Sequence, residues 1–254
     1  MIEASVSEGI ARIVMNSPPV NALSPAFVAE FSAALDLLEA ERGWSVLHLS
    51  SRAKVFCAGG DLQSMGQWMA SGSPSAHMRP YVEAVQKLFL RLEEMPQVTV
   101  AEIAGSALGG GLELALACDL RIAARGAKLG LPEVGIGLLP GGGGTQRLTQ
   151  LCGRATASRL ILGAEIVNGT TALDLGLVQW AEPEDELGAK TAAIVKRIAG
   201  LSADAIARSK RCIGMALQGD GTGYAEELSS VCWLLEQADT RSRIAAFLSG
   251  QRGG

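Results

Sequence analysis

The chain opens on alternation. In "EASVSEGIARIVMN" apolar residues return at every second position on either side of Ser7-Glu8-Gly9, which predicts two short strands joined by a tight turn. The spacing then changes: "SPAFVAEFSAALDLLEAERG" carries apolar residues at helical intervals, with Ser24 placed to cap the helix and Pro25 at its first position. A buried strand in "WSVLHLSS", a helix in "RPYVEAVQKLFLRLEEM" stopped by Pro96, and another buried strand in "VTVAEIAG" continue the series. Strands alternating with helices predict an α/β architecture.

The next elements are shorter. "LELALAC" reads as a helix, "DLRIAA" and "AKLGL" as strands, "GTQRLTQLCG" and "ATASRLILG" as helices, and "LGLVQWAE" as the last strand. After "EPEDE" (182–186) the pattern is helical throughout, with segments near 186–199, 203–217, 223–238 and 240–249. A boundary near residue 190 divides a core, 1–190, from a helical region, 191–254. The Gly- and Ser-rich stretch "GQWMASGSPSAHMR", between 66 and 80, reads as a loop that either covers a site or merely connects two elements.

Composition narrows the classes. With 254 residues, 48% of them hydrophobic, the chain can bury a large core. No apolar run approaches the roughly 18 to 20 residues that cross a bilayer, and "MIEASVSEG" lacks a basic n-region and an apolar h-region, so the expected setting is soluble and cytoplasmic. Lys plus Arg number 22 against 26 Asp plus Glu, a formal net charge of −4 without a basic block, which speaks against nucleic acid as a partner. Five cysteines without CxxC spacing and two histidines, His48 and His77, speak against a zinc site or a disulfide framework.

Candidate chemistry gathers around glycine. "CAGGD" (57–61), "ALGGG" (107–111) and "GIGLLPGGGG" (135–144) match neither GxGxxG nor a phosphate loop. Gly109, Gly110 and Gly111 stand between a strand and an apolar helix, where backbone N–H groups lack helical partners and can meet developing negative charge; tight helix–strand packing explains them equally well. Glu113 is the one polar residue of "LELALAC", so burial should raise its pKa and suit it to acid–base work, unless it bonds a helix N-terminus or pairs with Arg147. Glu133 in "GLPEVGIG" is a second carboxylate among apolar and glycine residues.

Five segments together carry a resemblance: "SPPVNALS" (17–24), "VFCAGGDLQSM" (55–65), "AEIAGSALGGGLELALACDLRIAA" (101–124), "AKLGLPEVGIGLLPGGGGTQRL" (127–148) and "GLVQWAEPEDEL" (176–187). In this order they resemble the crotonase superfamily of enoyl-CoA hydratases and isomerases. The resemblance implies a spiral of strand–strand–helix turns followed by a C-terminal helical region for trimerisation, as a homotrimer or a dimer of trimers. It implies backbone N–H groups of Ala58 and Gly110 as an oxyanion hole for a thioester carbonyl, and Ala58, Gly59, Gly60 and Asp61 lining the site of an acyl-CoA substrate. No separate cofactor is implied, since coenzyme A is part of the substrate. By charge alone Arg52 and Lys54 could meet its phosphates, or form a solvated pair.

Both glutamate positions of the family's hydratases hold Glu here. The resemblance therefore implies that Glu113 orients and deprotonates the water attacking Cβ of a trans-2-enoyl-CoA, while Glu133 delivers a proton to Cα. An isomerase would need Glu133 alone, and the Asp of a dienoyl-CoA isomerase, aligning near Gly141, is missing. Hydrolase and decarboxylase branches, and a silent scaffold or RNA-binding member, stay as alternatives. The tail departs from the family's acidic pattern with Thr240-Arg241-Ser242-Arg243, which leads us to expect an acyl group other than an ordinary straight short chain.

Overall fold

A computed structural model describes residues 1–217, 219 and 221–250. Residues 218, 220 and 251–254 of the expected helical region lie outside them.

The first two strands, β1 (Ile2–Ser7) and β2 (Ile10–Met15), form an antiparallel hairpin. Glu8 and Gly9, at φ 52° and 75°, make its turn, the left-handed pair that a two-residue hairpin loop requires. Helix α1 (Pro25–Ala40) starts where expected: the Ser24 Oγ accepts from the Phe27 N–H at 3.1 Å. Phe27, Phe31, Leu35 and Leu38 form its buried stripe, and the indole N–H of Trp44 donates to the Leu38 and Glu41 carbonyls at its end. Strand β3 (Val46–Ser51) then runs parallel to β2, placing Ile10 opposite Val46.

Where a loop was expected, the chain is helical. Helices α2 (Leu62–Ala70) and α3 (Pro74–Glu94) are joined by Ser71–Ser73 alone. Asp61 caps α2 by accepting the Gln63 N–H at 3.1 Å, Pro74 sits in the first turn of α3, and the Trp68 ring lies 6.3 Å from His77 and 5.3 Å from Tyr81. These caps and ring contacts outweigh a Gly- and Ser-rich composition. Pro80 is accommodated inside α3.

Strand β4 (Val98–Ile103) extends the sheet, and β5 (Ala107–Leu108) leaves it. Helix α4 (Gly110–Leu116) follows at once, then β6 (Leu120–Ala124) returns parallel to β4. The buried Arg121 guanidinium donates to the Ala115, Cys118 and Leu177 carbonyls, tying down the C-terminal end of α4. Strand β7 (Lys128–Gly130), a 3-10 turn at Glu133–Ile136, and α5 (Gly144–Leu162) come next. Gly153, at φ 77°, breaks α5 into the two helices that the pattern predicted.

The stretch read as a last long strand holds less strand than expected. After β8 (Val167–Asn168) and α6 (Gly169–Asp174), only β9 (Trp180–Glu182) is extended. The main sheet has the order β1-β2-β3-β4-β6-β9, parallel except at β1, and β5-β7-β8 form a small second sheet. Helix α7 (Glu184–Ala199) lies against β2, β3, β4, β6 and β9 and buries Leu187, Ile194, Val195 and Ile198 there. The division anticipated near residue 190 thus falls within a helix packed on the sheet.

Beyond α7 the character changes. Helices α8 (Ala203–Ala216), α9 (Thr222–Leu235) and α10 (Ala238–Leu248) contain one fully buried residue, Ser230, among those described. Tyr224, Phe247 and Leu248 are each about four-fifths exposed in the single chain. Lys210 of α8 reaches the sheet by donating to the Asp119 carboxylate (2.7 Å) and the Gln97 carbonyl (3.1 Å).

Candidate active site

The strand-to-helix junction at β5–α4 sets the position of the site. Gly109 takes φ 53° so that the chain turns directly into α4, and a Cβ there would stand 3.1 Å from Glu133 Oε1. At Gly111 a Cβ would fall 2.0 Å from the Cys57 carbonyl oxygen. The segment 57–60 is therefore in backbone contact with the start of α4, a spacing that glycine alone permits.

Above this junction opens a cavity of about 300 Å³, with Gly60, Gly110, Glu113 and Glu133 on its wall and an otherwise mostly apolar lining that includes Met65, Met78, Tyr81 and Leu139. The two carboxylates predicted from sequence are thus brought to one cavity. Glu113 is 3% exposed and its Oε1 accepts the Gly144 N–H at 2.7 Å, at the N-terminus of α5. Burial raises its carboxyl above the ordinary range, while the Gly144 and Gly142 N–H groups and the charge of Arg147 pull it back. Arg147 itself pairs with Glu93 (2.8 Å) and donates to the Gly142 carbonyl (2.8 Å). The bland role considered for Glu113, bonding a helix N-terminus, is real and coexists with its exposure to the cavity.

Glu133 differs. Its Oε2 is buried without a hydrogen-bond partner, and its carboxyl is pushed up to about 7, first by burial and then by the neighbouring charge of Glu113. One carboxylate is held by N–H donors, and the other has a free oxygen and a raised pKa. Such a pair divides naturally into base and acid.

The oxyanion donors are corrected in part. The Ala58 N–H donates to the Val20 carbonyl at 3.0 Å, so it is occupied within the fold, and Ala58 is absent from the cavity wall. Gly60, two residues on, does reach the cavity wall. A Cβ on Gly110 would lie 3.6 Å from the Gly60 nitrogen, both residues line the cavity, and neither N–H donates to another backbone group. The physical reason is a break in strand alternation: in an extended segment the Ala58 and Gly60 N–H groups would point the same way, but the chain bends at Gly59, whose O accepts the Leu23 N–H (2.8 Å) in the Leu23–Gly60 bridge. Gly59, at φ 95°, supports this bend, and Asp61 serves as the cap of α2.

A buried Asn21 fixes the loop before Leu23. Its side chain donates to Ser51 Oγ (2.8 Å) and the Phe56 carbonyl (2.9 Å) and accepts the Ser17 N–H (2.7 Å). Cys57 donates to the Asn21 carbonyl, and burial pushes its thiol up to about 12, so it is no nucleophile. Arg52 is paired with Glu3 at 2.6 Å. Arg241 and Arg243 pair with Glu236 and Asp239, and the tail does not line the cavity within one chain.

Tyr81 was not anticipated as a site residue. Its signal was present: Tyr81, Val85, Leu88 and Leu92 fall on one helical face, and all but Tyr81 are fully buried. Among the described residues no group of three His, Cys, Asp or Glu could hold a metal, and no helix is long and apolar enough to cross a membrane.

Comparison with known proteins bears on the family and the fold. The profile of the enoyl-CoA hydratase/isomerase family matches residues 5–232. A probable enoyl-CoA hydratase of Bacillus subtilis (strain 168) is 39% identical over 207 residues, covering 81% of this chain and 79% of its own. The mitochondrial enoyl-CoA hydratase domain-containing protein 2 of Bos taurus is 39% identical over 254 residues, covering 96% and 83%. The crystal structure of an enoyl-CoA hydratase from Bacillus anthracis superposes with a TM-score of 0.92 at 32% identity, covering 98% of this chain and 96% of that one. The fold is thus the crotonase fold that the sequence motifs implied, and the chain belongs to the enoyl-CoA hydratase/isomerase family.

Proposed function

We propose that the cavity hydrates a trans-2-enoyl-CoA to a 3-hydroxyacyl-CoA. The observation that carries this reading is the contrast between two carboxylates facing one cavity beside two unpaired backbone N–H groups. The thioester oxygen accepts from Gly60 and Gly110, whose N–H groups stabilise the enolate-like charge that develops on it. Glu113, anchored by Gly144, orients the water and takes its proton as oxygen bonds to Cβ. Glu133, with a carboxyl at about 7 and an unpartnered oxygen, gives a proton to Cα. Water, enoyl thioester and product balance without an oxidant or reductant, and coenzyme A enters and leaves as part of the substrate. The proton left on Glu113 and the one given up by Glu133 are exchanged through solvent to restore the resting pair.

The test is loss of the enoyl-thioester absorbance of crotonyl-CoA, followed for wild type, Glu113→Gln and Glu133→Gln. The reading expects wild-type turnover and a fall of at least about 100-fold in kcat in either variant. Unchanged absorbance with enoyl-CoAs of every chain length would overturn it. The free oxygen of Glu133 also favours a second reading, double-bond isomerisation with Glu133 as sole proton shuttle. Retained isomerisation in Glu113→Gln alongside lost hydration would show both activities in one site.

We further propose a homotrimer, or a dimer of trimers, assembled through the helical tail. Support comes from the exposed apolar side chains of α9 and α10, which a monomer would leave in water. Light scattering that gives a single-chain mass at micromolar concentration would refute it.

A further inference from the structure

The phenol of Tyr81 crosses from α3 to the loop before α1, where its hydroxyl donates to the Leu23 carbonyl at 2.6 Å. Leu23 is the residue through which both proposed oxyanion donors are set. Its N–H donates to Gly59 O at 2.8 Å and it bridges to Gly60, while its Cδ1 stands 2.8 Å from where a Cβ of Gly110 would be. On the other side of Gly60, the Asp61 N–H also faces the Tyr81 oxygen. A Cβ on Gly60 would lie 3.7 Å from that same oxygen. The hydroxyl therefore lies between the carbonyl of residue 23 and the segment 60–61.

We propose that Tyr81 is a positioning residue for the oxyanion hole, its hydroxyl fixing the Leu23 peptide and through it the direction of the Gly60 N–H. The inference rests on the assignment of Gly60 and Gly110 as thioester donors, and it concerns a side chain that holds backbone groups in place without carrying chemistry itself. Burial raises the phenol above its ordinary value, so it remains a donor across the neutral range. Its ring is held independently by Trp68, 5.3 Å away, so the hydroxyl can be removed with the ring kept in place.

Tyr81→Phe makes that cut, and Trp68→Phe is the comparison that weakens the ring contact but keeps the hydroxyl. Two readings are taken on proteins whose far-UV spectra match wild type at low temperature: kcat and KM for crotonyl-CoA, and the absorbance shift of bound 2,4-hexadienoyl-CoA. A working oxyanion hole polarises the thioester and moves that absorbance to longer wavelength. Tyr81→Phe is expected to lower kcat by about 10- to 100-fold, less than the roughly 100- to 1000-fold loss of a whole donor, with KM within about twofold. It should also lose most of the shift, which Trp68→Phe retains.

Unchanged kcat and shift in Tyr81→Phe would overturn the inference and leave the proposed reaction standing. A fall in kcat with the full shift retained, or equal losses in both variants, would also overturn it, since the hydroxyl would then not be acting through the hole. If wild type binds the dienoyl thioester with a shift but turns over no enoyl-CoA, hydration is refuted and the shift in Tyr81→Phe alone decides. Binding without any shift in wild type would refute the assignment of Gly60 and Gly110 as thioester donors and with it this inference, hydration being decided by turnover alone.

Discussion

The raised carboxyl of Glu133 makes a quantitative prediction for the pH dependence of turnover. With its carboxyl at about 7, the group is about ten-to-one protonated one unit below that value and about one-to-ten protonated one unit above. If protonated Glu133 supplies the proton to Cα, kcat/KM follows its protonated fraction, so the rate falls by about 90-fold between about pH 6 and pH 9. An ordinary glutamic acid titrating near 4.5 would already be past its midpoint, so the rate would fall about 1000-fold over the same interval with no plateau near pH 6. The assay is the initial rate of crotonyl-CoA hydration well below KM, taken from about pH 5.5 to 9.5 at constant ionic strength. In Glu133→Gln the residual rate should lose this limb. A flat profile through neutrality, or a limb of unchanged midpoint in Glu133→Gln, would refute the assignment of Glu133 as the acid.

The same titration is linked to stability. Because burial holds the folded-state carboxyl above its unfolded value of 4.5, protonation favours the fold; that stabilisation is whole below about 4.5 and lost as pH rises through about 7. Wild-type Tm should therefore fall relative to Glu133→Gln between about pH 5 and 8, by a modest amount because the group is partly exposed. Gly142→Ala should destabilise by about 1–3 kcal/mol and lower kcat, since its Cβ would meet Glu113 Oε2 at 2.8 Å and Phe89 at 2.9 Å. Gly188→Ala in α7, with nothing within 4 Å of the added carbon, should leave kcat unchanged and raise the urea midpoint. Asn21→Ala removes three side-chain hydrogen bonds at a left-handed position and should cost about 3 kcal/mol in urea unfolding.

The elements with strong periodicity were legible in the sequence: the opening hairpin, α1 behind its Ser24 cap, the buried strands β3 and β4, and the break of α5 at Gly153. The stretch 66–80 was misleading because composition reports turn-forming tendency, whereas α2 and α3 are secured by a cap at Asp61 and by rings fifteen or fewer residues apart in sequence. Strands β5 and β8, two residues each, are too short to carry any period. The identities of Glu113 and Glu133 were legible, since an acid in an apolar run stands out. Which of Ala58 and Gly60 turns its N–H toward the cavity was not, because the two would face the same way in an extended segment and only the left-handed bend at Gly59, which a glycine permits but does not announce, separates them.

Hydrogens occupy the places where Gly109, Gly142 and Gly144 would otherwise carry Cβ atoms, all within about 3 Å of a carboxylate oxygen. The acids therefore sit in a socket whose dimensions come from bond lengths and backbone angles, which cannot be retuned by choosing another rotamer. Glu113, tied to the Gly144 N–H, has its conformation selected when the chain folds, before any substrate arrives. A shorter acid would not be drawn in to compensate: in Glu113→Asp the carboxylate would hang one methylene away from the Gly144 N–H, with no flexible wall to follow it. Reach, as much as charge, is what this socket demands of the residue at position 113.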